Sequence, residues 1–388
     1  MCSPTKNTPT TDSPDRRILL GAAGLAGAAF LGALSSHASA GPLSPPAGTV
    51  SSTGKTLTEV EPRTAINATN TPPAAGYVFR ITQPGSYYLT GNINVPAGQQ
   101  GILVSAPATI DLNGFSITGG NGNTFGIASN NGGSIRNGVI SGFAYGLSVD
   151  IDAVIEDITV DACTTRSVIM GTRSIIRRCN FRGLVPVAVE CSGDYALVED
   201  SFFTGATVQG AYLNSYSTLR HCRFGACSTG AYIGYGGRVE RCSFDACSSR
   251  GLQAGARSFV DGCTATGSPA GALNAIELGE GSTITRCVVS ANPVGIWAGA
   301  ACRITDCSMD ANTTAIRLTA TGSVVDACKL TRNTTGIDLA NVTGHYITRC
   351  IMLGNTNALA INWGGNWYPY VPLGDVNTAT NPLASMIG

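Results

Sequence analysis

The chain has 388 residues, of which 49 are glycine and 12% are charged, and its formal net charge is zero. So little charge argues against long amphipathic helices, whose outer faces need charged side chains. The even balance also excludes the basic footprint by which proteins hold nucleic acid.

Residues 1–40 read as a targeting segment. A polar start leads to the pair Arg16-Arg17, then to a 17-residue apolar run from Ile18 to Leu34, then to Ala38-Ser39-Ala40. Small residues at alternate positions predict cleavage after Ala40. The segment resembles a twin-arginine export signal, with Asp15 where Ser or Thr usually precedes the pair. An ordinary secretion signal is the alternative reading. The apolar run is marginal for spanning a bilayer, so no stable membrane anchor is expected after cleavage. The remaining chain has 21 basic and 22 acidic residues. It is expected in the periplasm, the envelope or the medium of a bacterium.

Residues 41–55 are a Pro/Ser/Gly linker without apolar period. Residues 56–100 are expected to form an N-terminal cap. Two β-rich runs there, Tyr77 to Ile81 and Ser86 to Leu89, are separated by the turn signal Gln83-Pro84-Gly85. Gly210 to Arg250 contains one unit written twice: Gly210 returns as Gly230, Leu219 as Val239, Cys222 as Cys242, Phe224 as Phe244 and Cys227 as Cys247. A period near 20 residues signals a stacked repeat. From Gly101 to Ile361, an apolar-x-apolar step recurs about twelve times, from Ile102/Val104 to Leu359/Ile361. A second pattern recurs beside it, as in Val198-x-x-Ser201-x-Phe203 and Leu219-x-x-Cys222-x-Phe224. Steps within its columns are 20 to 24 residues.

Short alternating segments with no helical stretch predict an all-β, right-handed parallel β-helix of about twelve coils over residues 101–361. These columns resemble the pectin-lyase-like β-helix superfamily. That resemblance implies the fold and an interaction with polysaccharide. It leaves activity open, because the superfamily holds lyases, hydrolases, epimerases and adhesins. Residues 362–388, with Trp363, Trp367, Tyr368 and Tyr370, are expected to cap the far end.

Eight of the fourteen cysteines fall in one inward column, where Gly138, Ile158 and Ser201 stand in other coils. That exchange favours small buried thiols. Disulfides between adjacent coils, Cys222–Cys242 first, remain the alternative. A second column runs Cys163, Cys227, Cys247, Asn292, Asn312, Asn333, Asn355 and reads as a turn with a stacked amide ladder. No metal and no cofactor are expected, because the cysteines lack neighbouring His or Cys-x-x-Cys spacing.

Two outward features could carry chemistry. Charges alternate along Glu156, Arg177, Glu199, Arg220, Glu240 and along Asp157, Arg178, Asp200, His221, Arg241. This is an ion-pair ladder, or else Asp200 and His221 form an acid/base dyad. The second feature is a stripe on the first strand: Glu190, Tyr212, Tyr232, Gln253, Glu277, Trp297, Arg317 and Asp338. Aromatic rings suit sugar C–H surfaces, and the polar groups suit hydroxyls or acids. Glycines two residues beyond (Gly171, Gly234, Gly255, Gly279, Gly299) are expected to leave the surface open beside it. The stripe is either a polysaccharide-binding face or an ordinary exposed strand face.

For catalysis the candidates are Glu277, Arg317 and Asp338. If the protein is a lyase, Arg317 is the base or carboxylate neutraliser; the alternative is an Arg317–Asp338 salt bridge. Polygalacturonases carry a Gly-His-Gly motif that Gly344-His345-Tyr346 matches only in part. The two functional readings are a polysaccharide-binding protein, with cleavage as a lyase or hydrolase left open, and a non-catalytic structural or adhesive envelope protein.

Overall fold

The computed structural model describes residues 61–360, apart from residues 75, 121 and 270, together with the backbone of Tyr370–Pro372 and Ser385–Ile387. The expected targeting segment, the linker, the first five residues of the expected N-terminal cap and most of the expected C-terminal cap lie outside the described residues. Among those described, every regular element is a strand.

The strands wind as a parallel solenoid. One sheet stacks fourteen strands, beginning Tyr77–Ile81, Gln100–Val104, Phe125–Ser129 and ending Asn357–Ala360. The second sheet joins the two shorter strands that follow in each coil. Around Tyr216, for example, Gln209–Leu213 lies in the first sheet, and Thr218–Arg220 and Arg223–Gly225 lie in the second. The sheet shows about two more coils than the sequence pattern predicts. Phe79/Ile81 belongs to a coil that lies within the expected cap, where it pairs in parallel with Ile102/Val104. Ile127 also completes a rung, but its partner position is Ser129, so the apolar-x-apolar step does not reveal it.

The inward columns form a continuous apolar core. Phe181, Phe203, Phe224 and Phe244 stack with centroids 4.9, 4.5 and 5.2 Å apart, all fully buried. Such burial contributes roughly 1.5–3 kcal/mol per large side chain. Gly210 and Gly230 are required beneath these rings. A Cβ on Gly230 would stand 2.4 Å from the Gly251 carbonyl oxygen and 2.7 Å from the Phe244 ring.

Most corners share one pattern: a residue enters the left-handed region, and the next residue turns a small side chain inward. His221 (φ 52) precedes Cys222, Asp200 (φ 49) precedes Ser201, Tyr216 (φ 56) precedes Ser217 and Ala311 (φ 54) precedes Asn312. Ile158, after Asp157 (φ 53), is an exception. Where the inward group is polar, it satisfies backbone that the ladder leaves unpaired at the bend. Cys179 N–H donates to Ser201 Oγ at 3.1 Å, and Ser201 Oγ donates to the Glu199 carbonyl at 2.7 Å. Thiols do the same work. Cys263 N–H donates to Cys287 Sγ at 3.3 Å, and Cys222 Sγ lies 3.3 Å from the Arg220 carbonyl. At the third corner the amides form the expected ladder: Asn292 Nδ2 donates to Asn312 Oδ1 at 3.2 Å, Asn312 to Asn333 at 3.1 Å and Asn333 to Asn355 at 2.9 Å.

The thirteen cysteines among the described residues are free thiols and buried. Burial pushes the Cys163 thiol up to about 11, and those of Cys179 and Cys247 up to about 12. Thiolate is the reactive form, so these groups should resist an aromatic disulfide reagent at neutral pH until the chain unfolds. Colour appearing in step with unfolding in urea is the expected result. Rapid reaction of several thiols in the native protein would contradict it.

Candidate functional site

The stripe is a single register line. Glu190 pairs with Tyr212, Tyr212 with Tyr232, Tyr232 with Gln253, Gln253 with Glu277, Glu277 with Trp297, Trp297 with Arg317 and Arg317 with Asp338. All eight side chains are half-buried, while the residues on either side of each are buried. Seven coil steps at the spacing of a parallel sheet span about 34 Å. The sequence period places these residues on one line because each five-residue rung must align with the next to close its hydrogen bonds.

The chemistry of the line differs from its expected form in three ways. The Tyr212 and Tyr232 rings stack on each other, centroids 4.8 Å apart and 9° from parallel. Their facing surfaces are therefore covered, and the pair turns ring edges and phenol groups outward. Burial, with Tyr212 adding to it, raises the Tyr232 phenol above its ordinary range. The glycines beside the stripe have a structural cause as well. A Cβ on Gly234 would stand 2.8 Å from Ser215 N, and one on Gly255 would stand 2.7 Å from the Gly234 carbonyl carbon. They admit the backbone of the neighbouring coil, so they do not by themselves mark an open surface.

The third difference is charge. Every carboxylate of the stripe has an arginine partner. Glu190 is held by Arg166, Glu277 by Arg250 at 2.5 Å and Asp338 by Arg317 at 2.8 Å. Glu277 also accepts from Gln253 Nε2 at 3.3 Å and from Asn274 Nδ2 at 3.0 Å. Arg166, Arg250 and Asn274 occupy the first position of their strands, three residues before the stripe position. Nothing in their residue types sets them apart in the sequence, although their spacing relative to the stripe is constant. Farther along the same first-position column, Phe125 and Tyr145 stack at 5.2 Å. The outward face of this sheet thus carries two columns rather than one.

This arrangement weighs against cleavage on the stripe. Glycoside hydrolysis uses two carboxyl groups about 5–9.5 Å apart, one kept protonated. Glu277 and Asp338 are three rungs apart, about 14 Å, and each is neutralised by its own guanidinium. Arg317 is likewise engaged, in the salt bridge that the sequence offers as the alternative to a base. His345 is buried and its pKa is lowered by that burial, in the column that Ser323 fills one coil earlier, so the Gly-His-Tyr triplet does not display an imidazole at the surface.

The charged columns of the second sheet form part of the expected ladder, and Glu240 departs from it by pairing with Arg238 of its own strand. Arg177 and Arg178 bind Glu156, Arg178 binds Asp157 at 2.8 Å, Arg220 binds Glu199 at 2.5 Å and Arg349 binds Asp326. His221 Nδ1 lies 3.3 Å from Asp200 Oδ1, as a dyad would require, but both side chains are about half exposed. The adjoining recess is lined by Arg220, His221, Glu240, Arg241 and Asp261, with no hydroxyl or thiol nucleophile. Among the described residues no group of three His, Cys, Asp or Glu is placed to hold a metal.

Arginine hydrogen bonds hold Glu156, Asp157, Asp310 and Asp326 below the ordinary carboxylate range. A carboxylate whose folded pKa is depressed adds stability that is present above its unfolded pKa, about 4. That stability is lost as pH falls through the lower folded value. The thermal midpoint should therefore hold steady above about pH 5 and fall below about pH 4. A midpoint that rises over that acid range would refute a stabilising ladder.

No family model matches the sequence, and no curated protein matches it either. Among solved structures, the A-module of a mannuronan C-5 epimerase from Azotobacter vinelandii is similar, with a TM-score of 0.49 and 13% identity over 78% of this chain and 89% of that chain. A tailspike protein of E. coli bacteriophage HK620, in complex with a hexasaccharide, gives a TM-score of 0.48 and 12% identity over 78% of this chain and 70% of that one. A pentasaccharide complex of the same tailspike gives 0.47 and 12% over 80% and 67%. These are similarities of chain path. The class defined by the chain's own geometry is the parallel β-solenoid.

Proposed function

We propose that the protein is an exported β-solenoid that binds a polysaccharide along the stripe from Glu190 to Asp338, without cleaving it there. The observation that carries this reading is the unbroken line of eight half-buried polar and aromatic side chains, repeating at one per coil. One coil step is close to the length of one sugar unit, so a chain lying along the sheet would meet the same kind of group at every unit. Carboxylates already paired with arginine offer fixed hydrogen-bonding edges and carry little net charge, which suits hydroxyl-rich ligands. Export rests on residues 1–40. Passage in folded form agrees with thiols buried at successive corners, because folding would then precede the oxidising compartment.

A glycan array with the full chain tests the binding. Retention of at least one polysaccharide, weakened about ten-fold or more in Tyr232→Ala and in Trp297→Ala, is the expected outcome. An array with no retained glycan would leave the reading of a structural envelope rod. New reducing ends or unsaturated products released from a bound glycan would show that cleavage occurs after all.

A further inference from the structure

The corner after the first sheet carries a feature the stripe does not use. Tyr195, Tyr216 and Tyr235 stand on three successive coils and are 58%, 48% and 38% exposed, and Arg257 follows on the fourth. Tyr195 and Tyr216 stack at 5.3 Å, Tyr216 meets Tyr235 edge to face at 5.7 Å, and the Arg257 guanidinium lies 5.7 Å from the Tyr235 centroid. Together they form a continuous ridge of phenols ending in a cation. Among the described residues, Arg257 has no carboxylate within ion-pair distance. In this it differs from Arg166, Arg250 and Arg317 of the first sheet.

Folding does not account for the ridge. Tyr195 and Tyr216 hold φ of 62° and 56° at the corner, where Gly236 and Gly281 serve other coils without the crowding that a side chain brings. Register in the same coils is already fixed by the buried stack of Phe181, Phe203, Phe224 and Phe244. Tyr195 and Tyr216 therefore keep half-exposed rings at a position that glycine fills in other coils, and Tyr235 adds a third ring from the residue just before that position.

We infer that this ridge is a second binding surface, for an acidic polysaccharide. Its ring edges and hydroxyls would meet successive sugar units, and Arg257 would take a uronate carboxylate in a charge-assisted pair. The four coils span three steps, about 14 Å. The inference is independent of the stripe, whose charges are internally paired and which therefore selects weakly for anions.

Affinity electrophoresis of the full chain in native gels containing polygalacturonate, alginate or uncharged dextran tests it. Retardation by at least one acidic polymer, absent with dextran, is the expected result. It should weaken about five-fold or more in Tyr216→Gly and in Arg257→Gln, recover in part in Arg257→Lys, and persist in Tyr232→Ala. Tyr216→Gly should keep the parent melting temperature, because the same corner is built on Gly236 one coil later. The inference is overturned if neither acidic polymer retards the protein, if dextran retards it equally or if both ridge variants behave as the parent. Competition by oligothymidylate as strong as by polygalacturonate would point to nucleic acid and overturn it too. Retardation lost in Tyr232→Ala but kept in Tyr216→Gly would move the acidic ligand to the stripe.

Discussion

Phe224→Ala should destabilise the solenoid by about 3–5 kcal/mol, the range for truncating a fully buried aromatic ring. Its ring is covered on both faces, by Phe203 at 4.5 Å and by Phe244 at 5.2 Å, and the bare backbone of Gly210 lies against its edge. The coils above and below are tied by backbone ladders on every strand. They cannot collapse into the gap without breaking register, so the cavity term is retained in full. Each coil also serves as a wall for its neighbours, and the lost contacts are therefore felt on both sides. Urea unfolding followed by circular dichroism measures the loss. A change below about 1 kcal/mol would show that the stack closes over the vacancy and contributes little.

Asn312→Ala should cost about 2–4 kcal/mol although it removes only a small polar group. The Asn312 side chain accepts from the Asn292 backbone N–H at 3.0 Å and from Asn292 Nδ2 at 3.2 Å, and it donates to the Val289 carbonyl at 3.0 Å and to Asn333 Oδ1 at 3.1 Å. Alanine leaves these groups buried and short of partners, at about 1–3 kcal/mol for each that water cannot reach. Asn312→Cys should be milder, because Cys227 and Cys247 serve this corner in earlier coils. Paired urea titrations of the two variants decide the point. Equal losses would mean that volume, rather than hydrogen bonding, governs the corner.

The two variants separate what a repeat displays from what it conceals. Phe224 is visible as a column, because inward positions on strands recur at a period that hydrogen bonding between rungs enforces. The eight residues of the stripe align for the same reason. Corners are harder to count. Tyr195, Tyr216, Gly236 and Arg257 share the left-handed corner position, but the exposed tyrosine of the third coil is Tyr235, one residue earlier. A spacing that slips by one dissolves the column, so the ridge is not legible as a repeat. The coils near the amino end are harder to read on composition instead: Ser129 breaks the apolar-x-apolar step of the Ile127 coil, and the Phe79 coil carries none of the later cysteine or phenylalanine landmarks.

By itself the sequence determined the solenoid, its inward columns, the alternating charges and the order of residues along the stripe. Each of these follows from a period set by backbone pairing. Only the tertiary structure decided how those side chains meet. It turned Tyr212 and Tyr232 face to face, gave each stripe carboxylate an arginine from a neighbouring coil and placed inward polar groups such as Ser201, Ser217 and Asn312 at bends, where they bond backbone the sheets leave unpaired. Those outcomes depend on rotamers and on contacts across coils, and a one-dimensional period contains neither.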